Sequence, residues 1–206
     1  MCLWPLRLLQ PWSSASYTIC SCCKRTTSLL FGLNDPSNSA TSGPDWLIEN
    51  SHGTATYENP LQKEVMVLNY GEFVNSIRMP HQKQCDFILS TNDNSCFILS
   101  ELKIAKKIAR MRNHRSKAKK QLLQTLYDLS NQPHLWTVIT SAHIKQCSLF
   151  HQRPSVPATL TIKAPTSFHR RDLIQPESGE KKMNPAIEAY GFEYWEYTSN
   201  QHYKFS

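Results

Sequence analysis

Three polar residues, Asp86, Glu101 and Lys103, flank a short apolar stretch and are of the types that hold a divalent metal and act on phosphates. Residues 91–95 between them are all turn formers, which predicts a hairpin centred on Asp93-Asn94. A symmetric turn there sets Asp86 opposite Glu101. Because strand residues alternate between faces, Lys103 shares the face of Glu101. The sequence therefore predicts that the three side chains converge on one surface point.

The chemistry expected of this cluster is metal-assisted attack on a phosphodiester. Two carboxylates directly opposite each other repel unless a cation lies between them. Mg²⁺, or Mn²⁺ in its place, accepts one or two carboxylates and completes its shell with water and substrate phosphate oxygens. The Lys103 ammonium would orient the attacking water or stabilise the transition state. The alternative interpretation is a solvated strand end with Asp86 capping a turn, and it predicts no metal.

A run of basic residues follows the cluster. The net charge is +7, and no Asp or Glu lies between Glu101 and Asp128. A basic segment of this kind neutralises phosphates and attracts a polyanion, although a solvated helix face is the alternative. The residues assigned to nucleic-acid binding are Lys106, Lys107, Arg110, Arg112, Arg115, Lys117, Lys119 and Lys120.

The elements that must position these residues follow from hydrophobic patterning. The hairpin register pairs Ser90 with Phe97 and Ile88 with Leu99. Both hairpin faces are apolar, which favours helices on both faces of a central sheet, an α/β sandwich. Other strands are predicted at 65–68, 135–140, 147–150 and 190–197. A helix is predicted over 116–129, capped by Ser116, with Ala118, Leu122, Leu126 and Leu129 at helical spacing.

Length and composition indicate one domain with tails. The 206 residues divide into a disordered tail at 1–43, a core at 44–153 and a loop-rich extension at 154–206 that ends in an aromatic strand. Residues 46–48 are interpreted as a helical turn. No apolar run is long enough to span a membrane, so a cytoplasmic protein is expected. An odd count of seven Cys favours a reducing compartment, and a zinc site at residues 20–23 is a weak hypothesis.

These residues together resemble the PD-(D/E)xK nucleases, which have the restriction-endonuclease-like fold. The resemblance covers about residues 58–140 and depends on Asp86, the triplet Glu101-Leu102-Lys103, the helix containing Gln121 and the strand expected after it. It implies a central mixed β-sheet flanked by helices. It also implies metal ligation by Asp86, Glu101 and the Leu102 carbonyl, and catalytic roles for Lys103 and, more weakly, Gln121. Cys85 replaces the nominal proline, and the early acidic residue of the family has only Glu49 and Glu58 as candidates.

The function expected from the sequence is therefore Mg²⁺-dependent hydrolysis of nucleic acid, DNA rather than RNA. A homodimer is compatible with this prediction, and no membrane partner is expected. The alternative is a nucleic-acid-binding or interaction protein without catalysis, on the same fold or on another α/β fold. A cluster in which Asp86, Glu101 and Lys103 meet in space favours catalysis, whereas dispersed side chains favour binding only.

Overall fold

In a computed structural model of the chain, the described residues are 22–34, 45–76, 83–104, 111–152, 178–198 and 201–206, without the side chains of Met111, Arg112 and Gln152. The strands are β1 Cys23–Thr26, β2 Leu30–Leu33, β3 Leu47–Glu49, β4 Ala55–Glu58, β5 Val65–Asn69, β6 Phe87–Thr91, β7 Cys96–Ile104, β8 Ile144–Gln152, β9 Glu180–Lys182, β10 Glu193–Thr198 and β11 Tyr203–Lys204. The helices are α1 Tyr70–Ser76, α2 Met111–Ser130, α3 Pro133–Thr140 and α4 Pro185–Glu188. None of these helices is long and apolar enough to cross a membrane.

A mixed seven-stranded sheet in the order β1-β5-β6-β7-β8-β10-β9 forms the centre of the fold. The segment β5-β6-β7 is antiparallel, and β7, β8 and β10 run parallel to one another. Helix α2 supplies most of the crossover from β7 to β8, as a parallel pair requires. The expected α/β architecture with a central mixed sheet is confirmed.

The hairpin between β6 and β7 has the register that the turn predicts. Ile88 pairs with Leu99 and Ser90 with Phe97. Asn94 adopts a left-handed conformation with φ of 55°, and the Asp93 carboxylate accepts a hydrogen bond from the Ser95 main-chain N–H. Continued by one pair beyond the ladder, the same register places Asp86 opposite Glu101.

The two faces of the central sheet are covered differently. On one face Phe97, Leu99 and Leu149 pack against Ala118 and Leu122 of α2. The other three helices also bury residues in this cluster. The opposite face packs against a four-stranded sheet in the order β11-β4-β2-β3.

The prediction of helices on both faces is therefore wrong for the second face. Phe31 of β2, Tyr57 of β4 and Phe205 stack on one another there and bury its apolar side chains. A sheet covers an apolar face as effectively as helices do.

Helix α2 matches its prediction in the interior and differs at its start. Ala118, Leu122, Leu126 and Leu129 are all buried, as their spacing predicts. The helix begins at Met111, so Ser116 is an exposed residue within it and not its cap.

The strand predicted over 135–140 is wrong, because these residues lie in α3. Pro133 occupies the first helical turn, where its missing N–H is not required. Leu135 and Ile139 lie one helical turn apart and are both buried. The strand that follows α2 in the central sheet is instead β8.

Both predicted flanking segments contribute strands to the two sheets. Residues 22–34, assigned to a disordered tail, form β1 and β2, because their backbone groups pair with β5, β3 and β4. Residues 46–48 are in and beside strand β3 and do not form a helical turn. The aromatic strand predicted over 190–197 is confirmed as β10, but it lies inside the central sheet, and β11 follows it.

Candidate active site

The backbone of Asp86, the residue just before strand β6, is fixed by the two helices α1 and α2. Its carbonyl oxygen accepts the main-chain N–H groups of Tyr70 and Gly71 at the start of α1, at 2.9 and 3.4 Å. From α2, the Thr125 hydroxyl accepts the N–H of Cys85 at 2.9 Å, and the Gln121 amide donates to the Gln84 carbonyl at 2.8 Å. These four hydrogen bonds hold the backbone of residues 84–86, just before the β6–β7 ladder, in a fixed position.

The Asp86 carboxylate accepts a β7 main-chain hydrogen bond that would otherwise go to the backbone of a paired strand. Its Oδ2 accepts the main-chain N–H of Leu102 at 2.7 Å. In an antiparallel pair the N–H and C=O of one residue face the same neighbouring strand. The Leu102 carbonyl therefore faces the side of the strand on which the Asp86 carboxylate lies.

Glu101 and Lys103 form an ion pair on the helix-covered face of β7. Glu101 is fully buried, whereas 21% of the Lys103 side chain is exposed. Burial of an ionised carboxylate is expensive unless a partner compensates it, and the Lys103 ammonium supplies that compensation. Lys103 therefore pairs with Glu101, and Asp86 reaches the same triplet through the Leu102 main chain.

Asp86 and Glu101 also share a neighbour in Cys85. Burial raises the pKa of the Cys85 thiol well above its usual value; a hydrogen bond with Thr125 opposes the rise, and the charges of Glu101 and Asp86 add to it. The thiol is therefore protonated at neutral pH and is unsuited to act as a nucleophile.

The cluster offers oxygen ligands for a divalent cation. Asp86, Glu101 and the Leu102 carbonyl form a donor set that suits Mg²⁺ or Mn²⁺, which commonly takes one or two carboxylates. Within the described ranges, no group of three or more His, Cys, Asp and Glu residues is placed to hold a metal. Lys103 already supplies a positive charge to Glu101, and the Leu102 N–H already donates a hydrogen bond to Asp86. Repulsion between the two carboxylates therefore does not by itself require a metal.

Two buried polar residues near this cluster were missed by the sequence analysis. His151 of β8 is the register partner of Lys103, and Glu196 of β10 is in register with Leu149, the partner of Glu101. Both are buried. The alternation of side chains along a strand could have found them. His151 lies two residues after Leu149 and Glu196 two residues after Tyr194, so each shares the face of that apolar residue.

The described part of the basic segment lies on α2. Arg115 forms an ion pair with Glu196, Lys119 lies over the Tyr194 ring, and Lys117 and Lys120 are exposed to solvent. Lys106, Lys107 and Arg110 lie outside the described residues, as does the side chain of Arg112.

The candidates for an early acidic residue lie elsewhere. Glu49 accepts a hydrogen bond from Thr26 at 2.7 Å, and Glu58 lies 3.0 Å from the His202 ring. Both belong to the second sheet, so neither extends the Asp86 and Glu101 cluster. Cys22 is buried and Cys23 is partly buried, and Cys20 of the suggested zinc site lies outside the described residues.

Comparison of the chain with protein-family models, with curated proteins and with solved structures finds no match. The geometry of the site is therefore the basis for assigning a function.

Proposed function

We propose that this protein is a metal-dependent nuclease that hydrolyses phosphodiester bonds in nucleic acid, with DNA as the preferred substrate. The observation that carries the proposal is the meeting of Asp86 with the Glu101-Leu102-Lys103 triplet. One carboxylate is bonded to the Leu102 main chain, and the other is paired with Lys103.

In this proposal each residue of the cluster has a distinct role. Asp86, Glu101 and the Leu102 carbonyl hold Mg²⁺, which supplies Lewis-acid activation of water and of the phosphate. Lys103 and Asp86 are both partly exposed, so a substrate can approach this part of the cluster, and the Lys103 ammonium contacts the phosphate oxygens on which negative charge develops. Burial of Glu101 strengthens each of these electrostatic contacts.

The order of elements gives further support. The resemblance to PD-(D/E)xK nucleases requires the acidic residue at one strand end, the Glu-x-Lys triplet on the next strand, then a helix and a further strand. Strands β6 and β7, helix α2 and strand β8 occur in that order, but helix α3 lies between α2 and β8, at the residues where the resemblance expected the strand. Gln121 lies on the expected helix and contacts the segment before Asp86.

One observation favours the non-catalytic alternative. Asp86 and Glu101 find compensating partners within the chain, in Leu102 and Lys103, so the cluster is also compatible with a structural role. The exposed Lys117 and Lys120 would then bind the nucleic-acid backbone without chemistry.

The test is cleavage by the purified full chain of supercoiled plasmid, circular single-stranded DNA and single-stranded RNA, with Mg²⁺, Mn²⁺ or EDTA. We expect metal-dependent cleavage of DNA, reduced at least about 100-fold in Asp86→Asn, Glu101→Gln and Lys103→Met. Lys24→Met is the matched control, because Lys24 forms an exposed ion pair with Asp45 on the β1 side of the sheet.

Cleavage that is equal in the wild type and in all three variants, or that persists in EDTA, would overturn the proposal. If every substrate stays intact while DNA binding depends on salt concentration, the non-catalytic alternative is correct.

A further inference from the structure

The carboxylate of Glu196 lies inside the protein on the same sheet face as the cluster. Leu149 is in register with both Glu196 and Glu101, so one strand separates the two acidic residues. At about 4.8 Å per strand, their backbones are about 10 Å apart. The Glu196 side chain is only 7% exposed, and a buried carboxylate requires partners.

Glu196 has two such partners. Its Oε2 lies 3.0 Å from Nε of Arg115, and its Oε1 accepts a hydrogen bond from the Tyr194 hydroxyl at 3.0 Å. Burial, and after it the negative charge of Glu196, raises the pKa of Tyr194. The phenol therefore keeps its proton and remains a donor at neutral pH.

The Arg115 side chain is buried at its Nε atom and exposed to solvent elsewhere. Its Nε atom is buried beside Glu196 as an ion pair without a hydrogen bond, yet 43% of the side chain is exposed. Since a guanidinium is planar and rigid, an ion pair at Nε limits the positions that the two Nη groups can take. The exposed part of Arg115 is therefore presented to solvent from a restricted position.

Lys119 is anchored to the same strand one helical turn further along. Its Nζ lies 4.9 Å from the centre of the Tyr194 ring. By contrast, Lys117 and Lys120 of the same helix are exposed. Helix α2 thus carries two kinds of basic residue, and those facing β10 are held by Tyr194 and Glu196.

We propose that Arg115, held by Glu196 and Tyr194, binds a backbone phosphate next to the scissile one, and that Glu196 is the positioning residue for this contact. This inference rests on the proposed nuclease function, since it places the bound strand across Glu101 and Arg115. An arginine already oriented loses less conformational entropy on binding a phosphate than a free surface lysine does.

The test is binding of a fluorescein-labelled 12-base-pair DNA duplex by the full chain in EDTA, measured by anisotropy across a salt series. Arg115→Ala should weaken binding about tenfold and reduce the salt slope by about one. Arg115→Lys keeps the charge but loses the planar group, and should still weaken binding at least about fivefold. Lys24→Ala, on the β1 side of the sheet, is the control and should weaken binding less than Arg115→Lys does.

Glu196→Gln separates positioning from charge. Removal of a negative charge by itself tightens binding to DNA, whereas release of Arg115 weakens it. We expect binding about threefold weaker than wild type, with Tyr194→Phe changing it in the same direction. Circular dichroism melts identify any variant that fails to fold, and Arg115→Lys then tests the contact without altering the buried carboxylate.

If Glu196→Gln binds DNA as tightly as wild type or more tightly, or if Arg115→Lys matches wild type, the positioning role is overturned. A wild-type chain that does not bind the duplex overturns this inference, and the cleavage assay with Mg²⁺ decides the proposed function separately. Because binding is scored in EDTA, a chain that shows the expected variant effects but never cleaves DNA contradicts the nuclease proposal alone.

Discussion

Oδ2 of Asp86 accepts a 2.7 Å hydrogen bond from the main-chain N–H of Leu102, the residue between Glu101 and Lys103. The Asp86 side chain thereby takes the place of the next main-chain hydrogen bond of the β6–β7 ladder. The last pair of that ladder is Phe87 and Ser100. This contact ties the first carboxylate to the backbone of the strand that carries the second. The proposed function depends on that coupling, and so do the following predictions.

Lys103→Met should lower the free energy of unfolding by about 3 kcal/mol, because it leaves the fully buried Glu101 carboxylate without its ion-pair partner. Urea unfolding at pH 7 measures this loss. Adding Glu101→Gln should restore part of the stability, since the double variant buries no charge at this position. The control Lys24→Met should change the stability by less than about 1 kcal/mol. A Lys103→Met variant as stable as Lys24→Met would show that the buried ion pair does not form.

Thr125→Val should affect both stability and the site. The Thr125 hydroxyl accepts the buried N–H of Cys85, and its loss leaves that donor unsatisfied at about 2 kcal/mol. Since Cys85 precedes Asp86, cleavage should also fall, by about tenfold. Thr125→Ser keeps the hydroxyl and is the control. Equal cleavage by the two variants would mean that the Thr125 hydroxyl does not position Asp86.

Alkaline pH should unfold the protein through its buried tyrosines. Burial, the largest cause, raises the pKa values of Tyr57, Tyr70, Tyr194, Tyr197 and Tyr203. A group whose pKa is higher in the folded state stabilises the fold below its unfolded pKa, about 10 for tyrosine, and loses that contribution as pH rises. Exposed Tyr127 ionises without unfolding, whereas the phenolate absorbance at 295 nm of the five buried tyrosines should appear only together with the loss of far-ultraviolet circular dichroism above pH 10. Ionisation of these five tyrosines without loss of structure would contradict their burial.

Gly32→Ala should destabilise the second sheet. A Cβ at Gly32 would lie 2.7 Å from the His52 carbonyl carbon and 2.8 Å from Gly53 Cα, both rigid main-chain atoms. The expected loss is about 3 kcal/mol in urea unfolding. Gly71→Ala is the control, because its Cβ would meet only the Asn69 side chain at 3.9 Å, and a helical alanine should be neutral or stabilising by about 1 kcal/mol. Similar stabilities for the two variants would rule out the close approach of Gly32 and Gly53.

Local sequence signals predicted the elements that hold the cluster. The Asp93-Asn94 turn determines the hairpin register by itself, and Ala118, Leu122 and Leu126 repeat at the spacing of a buried helix face. Residues 135–140 gave the wrong element, because a short apolar run suits a strand or a helix equally. Pro133 begins helix α3, since a proline suits the first turn of a helix.

Contacts between distant segments were not predictable in this way. Glu196 is one of two charged residues in the aromatic strand β10, and only the pairing of β10 with β8 brings it to the face that carries Glu101. The second sheet likewise joins β2 to β11 through β4, so no single window of sequence contains its pattern.

Strand β10 comes late in the chain yet lies between β8 and β9 in the central sheet, and β11 pairs with the early strand β4. Pairs so distant in sequence require long loops to close before their hydrogen bonds compensate the lost entropy, which slows folding. A chain emerging from the ribosome therefore contains the complete Asp86, Glu101 and Lys103 hairpin well before it contains Glu196. During synthesis Arg115 lacks this buried partner until Glu196 has been made, so the proposed phosphate contact becomes ordered only after strand β10 has joined the sheet.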